Sequence, residues 1–210
     1  MSKKRLYAHI LLDRSGSMEE CRESTISAFN EYVSTLGSDA NVSARISLTL
    51  FDSQGIDLVF DRLKPRDMPK LTHETFVPRG MTPLNDAIGR TAAKIDKETL
   101  REGENVAFVI LTDGLENAST EYSREAVRKL LARVQKEKNW LVIYLGANQD
   151  AFAEGAARGV DAAQSMIFDV DRMPQVVGAA ARSTLRYAEA ESPVAAAFTP
   201  AERAAARSSK

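Results

Sequence analysis

The chain is poor in the residues that build cross-links and imidazole chemistry. Its 210 residues include one cysteine, Cys21, and two histidines, His9 and His73. A single thiol excludes an intrachain disulfide and argues against a cysteine-based zinc site. His9 lies within an apolar run and reads as a packed, hydrogen-bonded core side chain. Excess charge of either sign is also missing. Lys and Arg number 28 against 29 Asp and Glu, a net charge of −1. That balance gives no general attraction to nucleic acid or to an anionic membrane. No uninterrupted apolar run is long enough to span a bilayer. The opening Met1-Ser2-Lys3-Lys4-Arg5 is basic, but the apolar run behind it is too short for a signal-peptide core. The expectation is a soluble cytoplasmic protein. No Gly-x-x-x-x-Gly-Lys-[Ser/Thr] phosphate loop and no internal repeat occur.

What the chain does have is a hydrophobic fraction of 44%, ample for a buried core, and one unusual stretch. The apolar run Ala8 to Leu12 ends abruptly in Asp13-x-Ser15-x-Ser17. A carboxylate and two hydroxyls thus alternate where a buried strand empties into a loop. Hard divalent cations take oxygen ligands of this kind and keep some waters. The simpler reading has Ser17 capping the helix that follows. Two later stretches add donors. Gly80-Met81-Thr82-Pro83-Leu84 puts a hydroxyl just before a helix opening with Pro83. Val106 to Leu111 is a second apolar run, and it ends in Thr112-Asp113-Gly114. In open parallel sheets, ligands bind beyond the carboxyl ends of the strands. Strands ending at Asp13 and Asp113, with Thr82 between them in sequence, converge there.

Asp13-x-Ser15-x-Ser17, Thr82 and Asp113 together resemble the metal-ion-dependent adhesion site of von Willebrand factor type A domains. The resemblance covers roughly residues 5 to 188. It implies a metal site of Asp13, Ser15, Ser17, Thr82 and Asp113. In the family, hydroxyls touch the metal, at least one Asp acts through water, and one position stays open. It further implies a partner protein that supplies an Asp or Glu carboxylate. Mg²⁺ suits this donor set, with Mn²⁺ and Ca²⁺ as alternatives.

The remaining pattern predicts an α/β fold. Near-continuous apolar runs at 6–12 and 105–112 mark strands covered on both faces. Residues 44–51 and 56–60 read as a hairpin around the turn Asp52-Ser53-Gln54-Gly55, with Asp52 bonding its own backbone. Helices are expected over 18–36, from 82 or 83 to about 102, over 122–138, over 149–155 and over 173–188. Further strands are expected at 140–145 and 165–168. A helical turn is expected near 68–71. Right-handed crossovers then give a doubly wound, Rossmann-like sheet with helices on both faces. By the resemblance it has six mostly parallel strands in the order 3-2-1-4-5-6, with one antiparallel edge strand. The domain spans 1–188. Residues 189–210 are Ala-rich and read as a flexible tail, anchored by Phe198, with a capping box at Thr199-Pro200-Ala201-Glu202.

The best-fitting function is a metal-dependent protein-binding module, not an enzyme. One alternative is a metal-dependent phosphohydrolase. The best-known Asp-nucleophile phosphatases need a second Asp two residues after the first, and Ser15 stands there. Another alternative is a regulatory or structural subunit, for example of an AAA+ ATPase complex, binding through another face.

Overall fold

The structure is a computed structural model, and it describes residues 3–147 and 151–207. Six strands form one sheet in the order β3-β2-β1-β4-β5-β6. They are β1 (Lys4–Asp13), β2 (Val42–Asp52), β3 (Gly55–Leu63), β4 (Glu104–Thr112), β5 (Leu141–Gly146) and β6 (Ser165–Ile167). All neighbours run parallel except β3, which pairs antiparallel with β2. Topology and strand directions are those expected from sequence. The helices are α1 (Arg22–Ser38), α2 (Leu84–Lys97), α3 (Arg124–Lys138), α4 (Ala151–Ala157), α5 (Met173–Ala190) and α6 (Pro200–Ala205). No described helix is long and apolar enough to cross a membrane.

The central strand shows how sequence divides the core. Alternate side chains of a strand face opposite sides. Leu6, Ala8, Ile10 and Leu12 of β1 join one apolar cluster with α1 and α5. Tyr7 and Leu11 join the other, with α2 and α3. Both faces are therefore covered, which is why β1 reads as a near-continuous apolar run. His9 is fully buried on the α2 side and bonds Tyr7 Oη at 2.9 Å and Thr49 Oγ1 at 2.8 Å. It is a core histidine.

Several boundaries differ from expectation. The first helix opens as a 3-10 turn over Gly16–Cys21 and becomes α-helical only at Arg22, then runs through Gly37 to Ser38. The helical turn expected near 68–71 lies at Pro65–Asp67, where Pro65 supplies the fixed φ at the first position. The α2 helix stops at Lys97, well short of 102. The short helix expected from Gln149 begins at Ala151; Gln149 itself lies outside the described residues. The stretch expected as a flexible tail is packed against the domain as far as Ala206. Phe198 is buried. Thr199 and Glu202 form the capping box. Glu202 accepts from Arg182 at 3.2 Å and from Arg186 at 3.0 Å. Arg203 donates to the Ser165 carbonyl of β6 at 2.8 Å. An isolated helix this short is marginal in water; here α5 and β6 supply the contacts that hold it.

Candidate metal centre

Strand register sets the site. Leu12 pairs with Leu111, so β1 and β4 end side by side, with Asp13 next to Thr112. Thr112 Oγ1 donates to Asp13 Oδ2 at 2.6 Å, and the Ser15 amide donates to Asp13 Oδ1 at 2.7 Å. The second bond turns the chain sharply after β1, as short Asp side chains do. Ser15 Oγ and Ser17 Oγ lie 3.2 Å apart, and Ser17 Oγ donates to Asp113 Oδ1 at 2.8 Å. A Cβ placed on Gly114 would stand 3.0 Å from Thr82 Oγ1 and 3.6 Å from Ser17 Oγ. Glycine at 114 therefore keeps open the space that the Thr82 and Ser17 hydroxyls face. All five predicted residues meet at the carboxyl end of the sheet. Asp13, Ser15 and Thr82 are buried, Asp113 is half-buried and Ser17 is exposed.

The loops that carry these donors are tied to one another. The Gly16 amide donates to the Gly80 carbonyl at 3.1 Å. Gly80 sits at φ +68, and a Cβ there would meet Ser53 Oγ at 2.4 Å. Only glycine fits this crossing of loops. The Ser53 amide donates to the Met81 carbonyl at 2.9 Å, and the Met81 amide returns to Ser53 Oγ at 2.9 Å. Thr82 is then clamped from the far side: its amide donates to Asn117 Oδ1 at 2.8 Å, and the Asn117 amide donates to the Thr82 carbonyl at 3.2 Å.

Two carboxylates anchor the Asp113 loop onto α2. Asp86 accepts the amides of Thr120, Glu121 and Tyr122 at 2.8, 2.9 and 2.7 Å. Glu116 accepts the amides of Ala118, Ser119 and Asn85 at 2.9, 2.7 and 2.7 Å. Burial works to raise both carboxyls, yet these amides hold each below the usual carboxylate range. Asp52 does the same for the Asp13 loop. Its Oδ1 accepts the Gln54 and Gly55 amides, the turn expected from sequence, while Oδ2 accepts Arg14 Nε at 2.6 Å and Arg79 Nε at 3.0 Å. Asp86, Glu116 and Asn117 each reach a partner more than thirty residues away, so the only local sign of these anchors in the sequence is an acid in the first turn of α2.

The donors fit a hard divalent cation. Among the described residues no group of three or more His, Cys, Asp or Glu forms a metal cage. Two carboxylates and three hydroxyls stand here instead, a set suited to Mg²⁺-like ions that retain water and unsuited to a closed zinc site. Burial pushes the Asp13 carboxyl up to about 6, against the Thr112 hydroxyl and the Ser15 amide, which lower it. Burial also raises Asp113, against the Ser17 hydroxyl. Burial is the first cause at both carboxyls, and the charge of Asp113 adds to the rise at Asp13.

No protein-family model and no curated protein matches the sequence. Solved structures do resemble it. One is proximal thread matrix protein 1 from the mussel byssus, in a form with a zinc-occupied adhesion motif. It is 16% identical with a TM-score of 0.61, over 84% of this chain and 47% of that one. The fold is that of the von Willebrand factor type A domain. A von Willebrand factor type A protein from Catenulispora acidiphila superposes with a TM-score of 0.62 at 16% identity, over 87% of this chain and 43% of its own. Manganese-loaded TRAP protein from Plasmodium vivax does so at 0.55 and 17%, over 83% and 72%. This chain thus spans under half the length of the first two.

Proposed function

We propose that the chain is a protein-binding module gated by a divalent cation held by Asp13, Ser15, Ser17, Thr82 and Asp113. The observation that carries the reading is the convergence of these five oxygen donors from three separate loops, with Gly114 keeping space beside two of them. When bound, the cation supplies an electrophilic position for an Asp or Glu carboxylate of a partner protein. The chain's own residues do the rest. Ser15, Ser17 and Thr82 offer neutral oxygens, so they bind without cancelling positive charge. Asp52, Asp86 and Glu116 hold the three loops in place, as outer groups do around metal ligands. Mg²⁺ is the favoured ion for oxygen donors, with Mn²⁺ and Ca²⁺ as alternatives. Solved neighbours of the same fold carry zinc and manganese, which supports a metal here. An AAA+ ATPase is one partner class in keeping with the resemblance.

Binding is favoured over hydrolysis by what surrounds the donors. His9 is sealed in the core, and His73 pairs with Glu23 on the surface at 2.5 Å. Neither imidazole stands at the site to act as a base. Capture of proteins from source-cell lysate tests the reading, with wild type in Mg²⁺, wild type in EDTA, and Asp113→Ala in Mg²⁺. A protein retained only in the first arm is expected. Equal retention in all three arms rejects the metal-gated reading. Metal-dependent hydrolysis of a generic phosphoester, lost in Asp13→Ala, would install the phosphohydrolase alternative.

A further inference from the structure

The end of the sheet opposite the metal centre is far more basic than the chain as a whole. Two grooves meet there at Gly37, Pro65 and Arg66, one reaching Met68 and Lys70, the other the first residues of β2. They lie at the amino ends of β1 and β2, about 30 Å along β1 from Asp13. Six cations line the pair: Lys3, Arg45, Lys64, Arg66, Lys70 and Arg101. Asp39 is the one carboxylate among the described lining residues, and its Oδ1 is turned to the Asn41 and Val42 amides at 2.7 and 3.0 Å. Over the whole chain the two signs balance, 28 against 29. Two of the six cations have acidic partners. Arg101 bonds Glu104 at 2.7 Å, and Arg66 stands 3.5 Å from the exposed Asp67. Among the described residues Lys3, Arg45, Lys64 and Lys70 form no ion pair. Arg45 gives one nitrogen to the Arg62 carbonyl at 3.3 Å. Just outside the grooves balance returns, with Lys4 paired to Glu191 at 3.0 Å.

We infer that the joined grooves bind an acidic segment of a partner protein, one that mixes carboxylates with apolar side chains, at the face opposite the metal site. This goes beyond the metal-gated reading and does not rest on it. Cations gathered from four separate segments around a concave surface focus their field into it. The α1 helix ends beside them at Ser38, and its terminal carbonyls offset about half of one charge, far less than four unpaired cations supply. Arg45 and Arg66 present planar guanidinium groups, which match a carboxylate with paired bonds. Val33, Pro65, Met68 and Pro69 line the first groove beside Arg66 and Lys70, so an apolar side chain next to an acid gains by covering them. A nucleic acid is the poorer occupant. No aromatic side chain stands among the described lining residues to stack on a base, and a phosphate backbone leaves the apolar wall uncovered.

The test pans a phage-displayed random peptide library on the full chain in EDTA, which keeps the metal site empty. Selected peptides are then titrated by fluorescence anisotropy against three proteins. These are wild type, the groove variant Arg66→Glu, Lys70→Glu, and a control, Lys129→Glu, Lys136→Glu, which makes the same change in net charge on α3. All four positions are exposed, and urea midpoints check that both variants fold as wild type does. The expected result is enrichment of Asp and Glu beside Leu, Ile, Val or Met. Affinity for the selected peptides should fall about tenfold in the groove variant, stay within about twofold in the control, and weaken as salt is added. Selection without acidic enrichment overturns the inference. So does full affinity in the groove variant, or an equal loss in the control. Oligothymidylate bound more tightly than the selected peptides, and lost in the groove variant, overturns the protein segment in favour of nucleic acid. With EDTA present throughout, each of these outcomes leaves the metal-gated reading as it stands.

Discussion

One strand carries two polar constellations with opposite fates. Tyr7, His9 and Asp13 project from the same face of β1, two or four residues apart. His9 is closed off: both ring nitrogens have hydroxyl partners, Tyr7 Oη goes on to Ser47, and the edge of the Phe108 ring packs close by. Asp13 sits at the last position of the strand, where the next hydroxyls, Ser15 and Ser17, lead from the buried interior to the surface. The polar chemistry is comparable; the position along the strand differs. In mid-strand, His9 finds its partners on β1 itself and on the neighbouring β2, and both ring nitrogens are used. At the strand end, Asp13 takes one partner from β4 and one from the loop that follows, and the next hydroxyls lead to the surface. Of the two constellations, only the one at the strand end runs out to the surface.

The comparison can be broken from either side. The largest effect is expected from Asp13→Ala, which should weaken Mn²⁺ binding at least about a hundredfold with little change in urea midpoint, measured by calorimetry and denaturation. His9→Gln should do the reverse. It should leave Mn²⁺ affinity intact and cost about 1–3 kcal/mol of stability at neutral pH, by unsettling the bonds to Tyr7 and Thr49. Its pH dependence sharpens the point. Burial first, then Lys94 and Arg62, push His9 down to about 3, whereas an unfolded histidine titrates near 6.5. Above about 6.5 the ring is neutral in both states and its stability contribution is complete. As pH falls from there towards 3, the unfolded chain binds a proton the folded chain refuses. Stability then drops by about 1.4 kcal/mol per pH unit. Urea titrations at pH 7.5 and 5.5 should show the wild-type advantage over His9→Gln shrinking on acidification; a constant gap would mean the ring is not held neutral by the fold.

Smaller effects probe how the strand-end site is held. Asp86→Ala removes three amide contacts from the Asp113 loop, and Mn²⁺ affinity should fall about tenfold. Gly114→Ala brings a methyl to 3.0 Å from Thr82 Oγ1. A loss of about threefold is expected there, since contact this close asks the Thr82 side chain to give only slightly. An unchanged affinity in either variant would show that these outer residues do not set the site's geometry.

The sheet was legible because its central strands are covered on both faces, which writes near-continuous apolar runs at 6–12 and 105–112. The donor set was legible because Asp13, Ser15, Ser17, Thr82 and Asp113 each sit beside a punctuating change of pattern. The scaffolding was not. Nothing local says that Asn117 will clamp Thr82 or that Asp52 will hold both Arg14 and Arg79, because those pairings exist only after the strands have set the register. The segment after Ala190 shows the same division. Its capping box could be read directly, but its seat depends on Arg182, Arg186 and the edge of β6.

The central position of β1 has a consequence in time. Of the six strands it leaves the ribosome first, and its partner on one side, β4, lies far along the chain: Thr112 Oγ1 and Asp13 are 99 residues apart. At bacterial or eukaryotic synthesis rates that interval lasts about 5–20 s. Until β4 emerges, β1 has one edge without its partner strand, an exposed edge that invites aggregation. The arrival of β4 covers that edge and brings Thr112 and Asp113 up to Asp13.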